Sequence, residues 1–239
     1  MKILVCISCV PDTTSKITLT DNKHFNYDGL TFVVGPYDDY ALSRAIELKE
    51  SNKAEVVILH VGNINSDPLI RKCLALGADS AIRIDTNPID SIQVSNEISD
   101  FVKNNPFDLI LMGKETIDYG NGLVPGLVAA NLNIQVFSPV QKLLVIDDKL
   151  ELEVETFSGK ATISCNMPVV LGCQEPIAEW KIPNMRGIMS ARTKEIKVLP
   201  DKIYESDSLL KLELVETKRK RIMINSENAE ELIDILFKI

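Results

Sequence analysis

Apolar runs alternate with longer amphipathic stretches through the first 135 residues of the chain. Short, continuous runs rich in β-branched residues are typical of buried parallel strands, whereas apolar positions that recur three and four residues apart indicate helices. Buried strands are predicted at Lys2–Ile7, Glu55–Val61, Ala81–Asp85 and Asp108–Met112. Helices are predicted at Asp38–Ser51, Pro68–Leu76 and Ser91–Lys103. This order predicts a sheet whose strands are connected by helices.

The pattern changes after Gln135. Short, partly antiparallel strands are predicted at Val136–Val145, Leu150–Thr156, Ala161–Ser164 and Val169–Leu171, with Asp147-Asp148 at a hairpin turn. These strands are expected to extend or cover the sheet. From Glu175 to Asp207 the chain is punctuated by prolines and its periodicity is weak. A last apolar helix is predicted at Asn228–Ile239, after the basic run Lys218–Arg221.

Strand and helix alternating four times predict an α/β fold. The expected architecture is a doubly wound, mostly parallel sheet of the Rossmann-like, adenine-nucleotide-binding type, with added short antiparallel strands and a C-terminal arm. Residues 1–200 are expected to form this domain, and residues 201–239 the arm, whose helix packs on a partner. Because right-handed crossovers bring the carboxyl ends of the strands to one edge, a ligand should bind beside Ser8–Thr13, Val61–Asn65 and Gly113–Pro125.

Composition narrows the class of protein. The 239 residues carry a net charge of −8, which disfavours broad nucleic-acid binding, and 45% are hydrophobic, enough for a sizeable core. No apolar run reaches the roughly 18 residues of a membrane helix and no secretory leader is evident, so we expect a cytoplasmic protein without membrane insertion. Cys6 and Cys9 have Cys-x-x-Cys spacing, but no second ligand pair follows. Reduced, buried thiols are therefore favoured over zinc or disulfide chemistry, and no metal site is predicted.

The segment most suggestive of chemistry is Gly113–Gly122, immediately after the fourth strand. Its glycines let the backbone approach a phosphate closely, and Thr116 and Asn121 add polar side chains. A helix that begins near Asn121 would direct N–H groups at an anion. The segment matches neither a Walker loop nor the G-x-G-x-x-G fingerprint, so a simple glycine-rich turn is the competing interpretation.

No catalytic constellation stands out in the sequence. The chain has no Gly-x-Ser-x-Gly elbow, and His60, the one plausible base, is expected to be a hydrogen-bonded histidine at the end of its strand. Asp38-Asp39 is typical of a helix cap and Asp147-Asp148 of a turn. The residues therefore favour a nucleotide-binding protein that is not itself an enzyme, although an acid–base enzyme stays open.

Taken in order, several segments resemble the β subunit of electron-transfer flavoproteins. Val10–Thr13 is similar to the turn after the family's first strand, and Gly35–Ala41 to its Asn-Pro-Phe-Asp helix start. Ile70–Ile82 is close to the family's Leu-Arg-x-Ala-Leu-Ala-Met-Gly-Ala-Asp block. Gly113–Gly126 aligns with its nucleotide loop, and Ile182–Arg192 resembles its partner-recognition segment. The resemblance covers residues 1–200, and the terminal helix also fits it.

The resemblance implies that this subunit binds AMP, and that FAD is held mainly by an α subunit in a cleft that this chain closes. The implied nucleotide contacts are Cys6, Gly35, Pro36, Tyr37, Asp38, Val61, Gly113, Thr116, Asp118, Gly120, Asn121, Gly122, Leu123, Val124, Pro125 and Gly126. The implied contacts to a partner dehydrogenase are Ile182, Pro183, Asn184, Met185 and Arg186. The expected activity, as a heterodimer, is a shuttle of electrons from flavoprotein dehydrogenases of the acyl-CoA type to a quinone-side oxidoreductase of the respiratory chain.

Three positions depart from the family's pattern. Gly35 stands in place of an asparagine, Ser8 in place of a lysine, and Leu123-Val124-Pro125 in place of Gln-Val-Gly. Two alternatives to the AMP-binding subunit stay open: a bifurcating β subunit with a second FAD, and a stand-alone nucleotide-binding or hydrolysing α/β protein. The Ile182–Arg192 segment and the apolar terminal helix favour a subunit, because a stand-alone protein needs neither.

Overall fold

The computed structural model describes residues 1–21, 25–147, 149–202, 213–215, 221–225 and 228–237. The described residues form two compact units, one within Met1–Ile17 and Tyr27–Leu210, the other within Thr18–Asn26 and Lys211–Ile239. Of the sequence predictions, His24, Asp148, the basic residues Lys218–Lys220 and the last two residues of the terminal helix lie outside the described residues.

Strands and helices alternate through most of the chain. The strands are β1 (Lys2–Ile7), β2 (Cys9–Pro11), β3 (Thr18–Leu19), β4 (Phe25–Asn26), β5 (Phe32–Val34), β6 (Glu55–Val61), β7 (Ser80–Asp85), β8 (Leu109–Gly113), β9 (Gln135–Ile146), β10 (Lys149–Thr156), β11 (Gly159–Cys165), β12 (Val169–Cys173) and β13 (Ile196–Pro200). The α-helices are α1 (Pro36–Asn52), α2 (Asp67–Leu76), α3 (Ser91–Asn104), α4 (Leu123–Leu132), α5 (Met185–Ala191) and α6 (Ala229–Phe237). The four strands and three helices predicted in the first 135 residues are all present, each within two residues of its predicted bounds.

The first unit is built on a nine-stranded sheet with the order β11-β10-β9-β12-β8-β1-β6-β7-β13. Adjacent strands in the stretch β9-β12-β8-β1-β6-β7-β13 pair in parallel. Next to β9, strands β10 and β11 add an antiparallel hairpin at the edge of the sheet. The chain runs from β1 through β6 and β7 in one direction and then crosses to β8 on the other side of β1. The switch point of the sheet therefore lies between β1 and β8. The predicted doubly wound, mostly parallel sheet with antiparallel additions is confirmed.

The short strands β2 to β5 are not predicted, and two strands of the nine-stranded sheet differ from the sequence prediction. The segment at Val169 is not a short peripheral strand, because β12 pairs in parallel with both β8 and β9 and all five of its residues are buried. β13 forms a parallel edge strand in a stretch where no strand is predicted, since its exposed Lys197 and Val198 interrupt the alternation. The predicted hairpin turn is present between β9 and β10, with Asp147 in the left-handed region at a φ of 47°.

Alternate residues of β1 point to opposite faces of the sheet. Ile3 and Val5 belong to the core formed with α1 and α2, whereas Leu4 and Cys6 belong to the core formed with α3 and α4. Full burial of a large aliphatic side chain contributes about 1.5–3 kcal/mol, so both cores stabilise the position of the central strands. This packing fixes the carboxyl ends of β1, β6 and β8 along one edge.

In the second unit, β3 and β4 form a short antiparallel pair. The terminal helix is present over its described part, α6, and its exposed apolar residues are Leu232, Ile233, Ile235, Leu236 and Phe237. Within the parts of the chain that the structure describes, no helix has both the length and the apolar character needed to cross a membrane.

Candidate functional site

A cleft lies at the carboxyl edge of the parallel strands, at the switch point. The cleft and the open space at its mouth together amount to about 700 Å³. Its walls come from the ends of β1, β6 and β8, the loop after β7, α3 and the first turn of α4. The three segments that were predicted to flank a ligand each contribute residues to this one cleft.

Eleven of the sixteen predicted nucleotide contacts line the cleft. They are Cys6, Asp38, Val61, Gly113, Thr116, Asp118, Asn121, Gly122, Leu123, Val124 and Pro125. The other five, which do not line it, are Gly35, Pro36, Tyr37, Gly120 and Gly126. The Tyr37 ring instead lies under the Lys114 ammonium, with Nζ 4.8 Å from the ring centroid. Which of the sixteen residues touch a nucleotide stays a prediction.

Part of the wall is not singled out by the sequence. Pro88, Val94 and Ile98 line the cleft from the loop after β7 and from α3. The rule that ligands bind beyond strand ends applies to β7 as well, so it could have found Pro88. Val94 and Ile98 lie one turn apart on α3, and in the sequence they are indistinguishable from ordinary core positions.

Asp38 connects the two strands that flank the switch point. Its Oδ2 accepts hydrogen bonds from the Ser8 N–H at 2.8 Å and from the Ser8 hydroxyl at 2.6 Å. Its Oδ1 accepts a hydrogen bond from the Gly113 N–H at 2.7 Å. Asp38 is only 3% exposed, and burial raises the pKa of its carboxyl from 3.8 to about 6, although the three hydrogen bonds oppose this shift. The side chain therefore ties the end of β1 to the end of β8.

The interpretation of Asp38 as a helix cap is wrong. α1 begins at Pro36, and the capping position is Gly35, which has no side chain to cap with. A Cβ on Gly35 would overlap Asp38 Oδ2 and Ser8 Oγ, and a Cβ on Gly113 would lie 2.8 Å from Asp38 Oδ1. Two of the departures from the family's pattern, Gly35 and Ser8, thus meet at Asp38: the glycine leaves space for the carboxylate and the serine donates to it.

The loop after β8 is shaped by Asn121 and two glycines. Gly120 and Gly122 have φ values of 58° and 61°, in the left-handed region that favours glycine. The Asn121 amide donates to Ser91 Oγ at 2.9 Å, and its Oδ1 accepts from the Leu123 N–H at 3.1 Å. α4 begins at Leu123, two residues beyond the predicted start, and the N–H groups of a first turn have no acceptor within the helix. The Leu123 N–H is engaged by Asn121 and Pro125 has no N–H, so the candidate backbone donors here are the N–H groups of Asn121, Gly122 and Val124.

The wall of the cleft is acidic. Asp38, Glu115 and Asp118 contribute to it, and the described residues that line it include no lysine or arginine. Burial lowers the pKa of His60, so this imidazole adds no positive charge at neutral pH. Glu115 is paired with Lys114, whose Nζ lies 3.8 Å from its Oε1. A ligand with several negative charges would still meet Asp38 and Asp118 in a wall to which no described lysine or arginine contributes. A single phosphate, by contrast, can be held by backbone N–H groups at a glycine-rich turn.

His60 is a hydrogen-bonded residue at the end of its strand, as predicted. Its Nδ1 lies 2.9 Å from the Ile7 carbonyl oxygen and its Nε2 lies 2.9 Å from Ser66 Oγ. Burial raises the pKa of the Cys6 and Cys9 thiols, the latter to about 12, so both are protonated at neutral pH. Nucleophilic attack needs a thiolate, so these groups are suited to packing and hydrogen bonding. Among the described residues, no three metal-ligating side chains cluster.

The segment predicted to recognise a partner, Ile182–Arg186, runs into a helix that the sequence does not predict. Asn184 caps α5, because its side chain accepts a hydrogen bond from the Gly187 N–H at 2.8 Å. Ile182 is 73% exposed and Met185 is 74% exposed. α5 has only seven residues, too few for a helical repeat to be visible in the sequence.

Both flanks of this segment are anchored. Before it, Trp180 Nε1 donates to Asp39 Oδ2 at 3.2 Å, and Lys72 Nζ lies 5.7 Å from the centre of the Trp180 ring. After it, Gly187 packs so closely on α2 that a Cβ there would overlap the carbonyl oxygen of Ala75. The exposed side chains of the segment are therefore presented on a stretch that is held at both ends.

Comparison with known proteins gives matches over nearly the whole chain. The profile of the family described as "Electron transfer flavoprotein domain" matches residues 25–203. "Electron transfer flavoprotein subunit beta" of Bacillus subtilis is 29% identical, over 99% of this chain and 97% of its own length. The protein of the same name from Syntrophomonas wolfei is 30% identical over 95% of this chain and 91% of its own length. The protein of the same name from Dictyostelium discoideum is 28% identical over 100% of this chain and 98% of its own length.

Proposed function

The chain belongs to the electron transfer flavoprotein family, as a β subunit, and on this premise we propose that it pairs with an α subunit that carries FAD. The heterodimer shuttles electrons, in the cytoplasm, from flavoprotein dehydrogenases of the acyl-CoA type to a quinone-side oxidoreductase of the respiratory chain. In this way it serves fatty acid oxidation. This chain holds one AMP and closes the FAD site of its partner.

AMP is the nucleotide that suits the cleft best. The observation that carries this assignment is an acidic wall, to which the described residues contribute no lysine or arginine, beside a glycine-rich loop and a helix start with candidate backbone donors. One phosphate is held by such donors, aided by Thr116 and Asn121. Asp118 stabilises the loop, where its Oδ1 accepts from the Tyr119 N–H at 2.8 Å, and does not face the phosphate. The pyrophosphate of a second FAD would place more negative charge than AMP does beside Asp38, Glu115 and Asp118, and is therefore the less favoured ligand.

FAD, when bound in the α subunit, supplies the redox chemistry of the heterodimer. This chain binds AMP and recognises the partner dehydrogenase. The exposed Ile182 and Met185 dock on the partner dehydrogenase, because apolar side chains on a stretch held at both ends can enter a pocket at a low cost in conformational entropy. The apolar residues of α6 pack on the α subunit.

The chain itself is an electron-carrier subunit without catalytic residues of its own. In the cleft wall, His60 is engaged at both ring nitrogens, and the thiols of Cys6 and Cys9 stay protonated. Neither a free base nor an activated nucleophile is formed by these three groups, which supports binding over hydrolysis. A stand-alone nucleotide hydrolase is therefore the weaker of the two assignments.

Co-expression with the α subunit tests the proposal. The expected product is a yellow heterodimer whose extracted nucleotides are one FAD and one AMP per dimer, measured by absorption and by chromatography of the extract. Two FAD and no AMP would contradict the AMP assignment and support a bifurcating subunit. A stable, monodisperse monomer that carries stoichiometric flavin would contradict the proposed division of cofactors between two chains.

A further inference from the structure

We propose that the carboxylate of Asp38 is a built-in anion at the switch point, which occupies the N–H groups at the ends of β1 and β8 and directs a nucleotide's phosphate to the loop of residues 119–124. Asp38 is then a positioning and specificity-determining residue that acts on the nucleotide through charge and through the donors it occupies. This inference rests on the proposed nucleotide-binding function of the cleft.

The first step concerns the backbone donors. Ligand anions in parallel sheets bind at the switch point, where N–H groups beyond the strand ends point into the crevice. Here the N–H groups that flank this point belong to Ser8 and Gly113, and both donate to Asp38, at 2.8 and 2.7 Å. The carboxylate therefore stands where a ligand anion would otherwise be held.

The second step concerns the room around the carboxylate. Gly35 and Gly113 both lack the Cβ that would collide with it, and the Ser8 hydroxyl donates to it at 2.6 Å. The surrounding backbone is thus shaped to hold this group, which is 3% exposed and has both oxygens hydrogen-bonded. Rotating it into the cleft would break three hydrogen bonds, so it is a fixed part of the wall.

The third step is electrostatic. The described residues lining the cleft contribute no lysine or arginine that could neutralise a phosphate placed against Asp38. At the loop, the N–H groups of Tyr119, Gly120 and Leu123 donate to acceptors within the loop. The candidate donors for the phosphate are therefore the N–H groups of Asn121, Gly122 and Val124. Repulsion at the switch point and attraction at the loop act in the same direction. Together they determine that the phosphate end of the nucleotide lies at the loop and away from Asp38.

Asp38→Asn tests the proposal in the heterodimer with its α subunit. Ser8 and Gly113 donate to different oxygens of the carboxylate, and in the amide one of these two positions is an NH2 group that cannot accept. At least one strand-end N–H therefore loses its acceptor and becomes available to a phosphate. The loss of one negative charge acts on AMP but not on adenosine. Titration calorimetry with these two ligands, after removal of bound nucleotide, should show the ratio of AMP to adenosine affinity rising about tenfold or more.

Asp39→Asn is the matched control, because it removes the same charge one residue further along α1, outside the cleft wall. For Asp39→Asn we expect the ratio of AMP to adenosine affinity to stay within about twofold of the wild-type ratio. An unchanged ratio in Asp38→Asn, with both ligands weakened in parallel, would mean a purely structural role and would overturn the proposal. If the wild-type heterodimer binds neither ligand, the nucleotide-binding function itself fails, and the inference with it.

A crystal structure of the wild-type heterodimer with AMP provides a second measurement that does not depend on the folding of a variant. The phosphate is expected against backbone N–H groups within residues 119–124, with Asp38 still bonded to Ser8 and Gly113. A phosphate that accepts from the Ser8 or Gly113 N–H, with the carboxylate rotated away, would refute the proposal.

Discussion

Replacing Ile182 with alanine separates a docking role from a packing role. Ile182 is 73% exposed, so only about a quarter of its surface is buried within the chain. Full burial of an isoleucine side chain contributes about 1.5–3 kcal/mol, so the truncation should lower the free energy of unfolding by less than about 1 kcal/mol. A side chain that fills a pocket at the centre of an interface costs about 2 kcal/mol or more when truncated. Stability and docking should therefore respond differently.

The assay is electron transfer from an acyl-CoA-type dehydrogenase to the heterodimer, measured over a range of heterodimer concentrations. A loss of about 2 kcal/mol in docking corresponds to a KM raised about 30-fold, and kcat at saturation should stay near wild type. Flavin content and melting temperature should also stay near wild type, because the substitution leaves the cofactor sites and the core untouched.

Two isoleucines provide controls for this experiment. Ile146→Ala makes the same change at a 48% exposed position on β9, outside the proposed docking segment, and should leave the KM unchanged. Ile177→Ala empties a buried position in the core and should cost about 2–5 kcal/mol of stability. If Ile182→Ala melts early like Ile177→Ala, yet transfers electrons with the wild-type KM while folded, the docking role is wrong.

Three further predictions concern the partner, the loop and pH. The chain expressed without its α subunit should be colourless and poorly soluble, judged by absorption and gel filtration, because α6 exposes its apolar residues. Gly120→Val should lose AMP on nucleotide extraction, since β-branched residues are strained at a φ of 58°. Gly29→Val makes the same change at a φ of 74°, with no atom within 4 Å and outside the cleft wall, and should retain AMP. Folding raises the pKa of the Asp38 carboxyl from 3.8 to about 6, so the native state binds this proton more tightly than the unfolded state does. The resulting contribution to the free energy of unfolding, about 3 kcal/mol, is fully present below about pH 4 and is lost as the pH rises through 6. The denaturation midpoint of wild type should fall over this range relative to Asp38→Asn, and parallel curves would contradict the assignment.

Most of the fold is visible in the sequence because burial on both faces leaves a strong signal. β1 and β6 are continuous apolar runs, and α2 and α3 carry regular apolar stripes, so their bounds could be predicted within two residues. β13 could not be predicted because its exposed Lys197 and Val198 interrupt the alternation, and α5 because seven residues are too few to show a helical period. The central position of β12 depends on pairing with β8, which lies far away in the sequence, and no local pattern contains that information.

The location of the site follows from topology, but its chemistry does not. The rule that ligands bind beyond strand ends places Ser8, Val61 and Gly113 in the same cleft, as the structure does. The role of Asp38 is hidden, because an acidic residue in the first turn of a helix is also the usual signal of favourable interaction with the helix dipole. Its hydrogen bond to Gly113 joins residues 75 positions apart, which only the folded chain brings together.

The departures at positions 8 and 35 gain a meaning only when they are considered together with Asp38. Taken singly, glycine at 35 removes an amide and serine at 8 removes a cation, and each change suggests a weaker nucleotide site. In the structure, the missing side chain at 35 leaves the space in which the Ser8 hydroxyl reaches the carboxylate. A buried carboxylate needs such donors, because leaving one of its hydrogen bonds unmade costs about 1–3 kcal/mol or more. The two departures therefore act as one local arrangement that fixes an anion at the switch point, and in the proposed nucleotide complex the backbone of the glycine-rich loop is left to hold the phosphate.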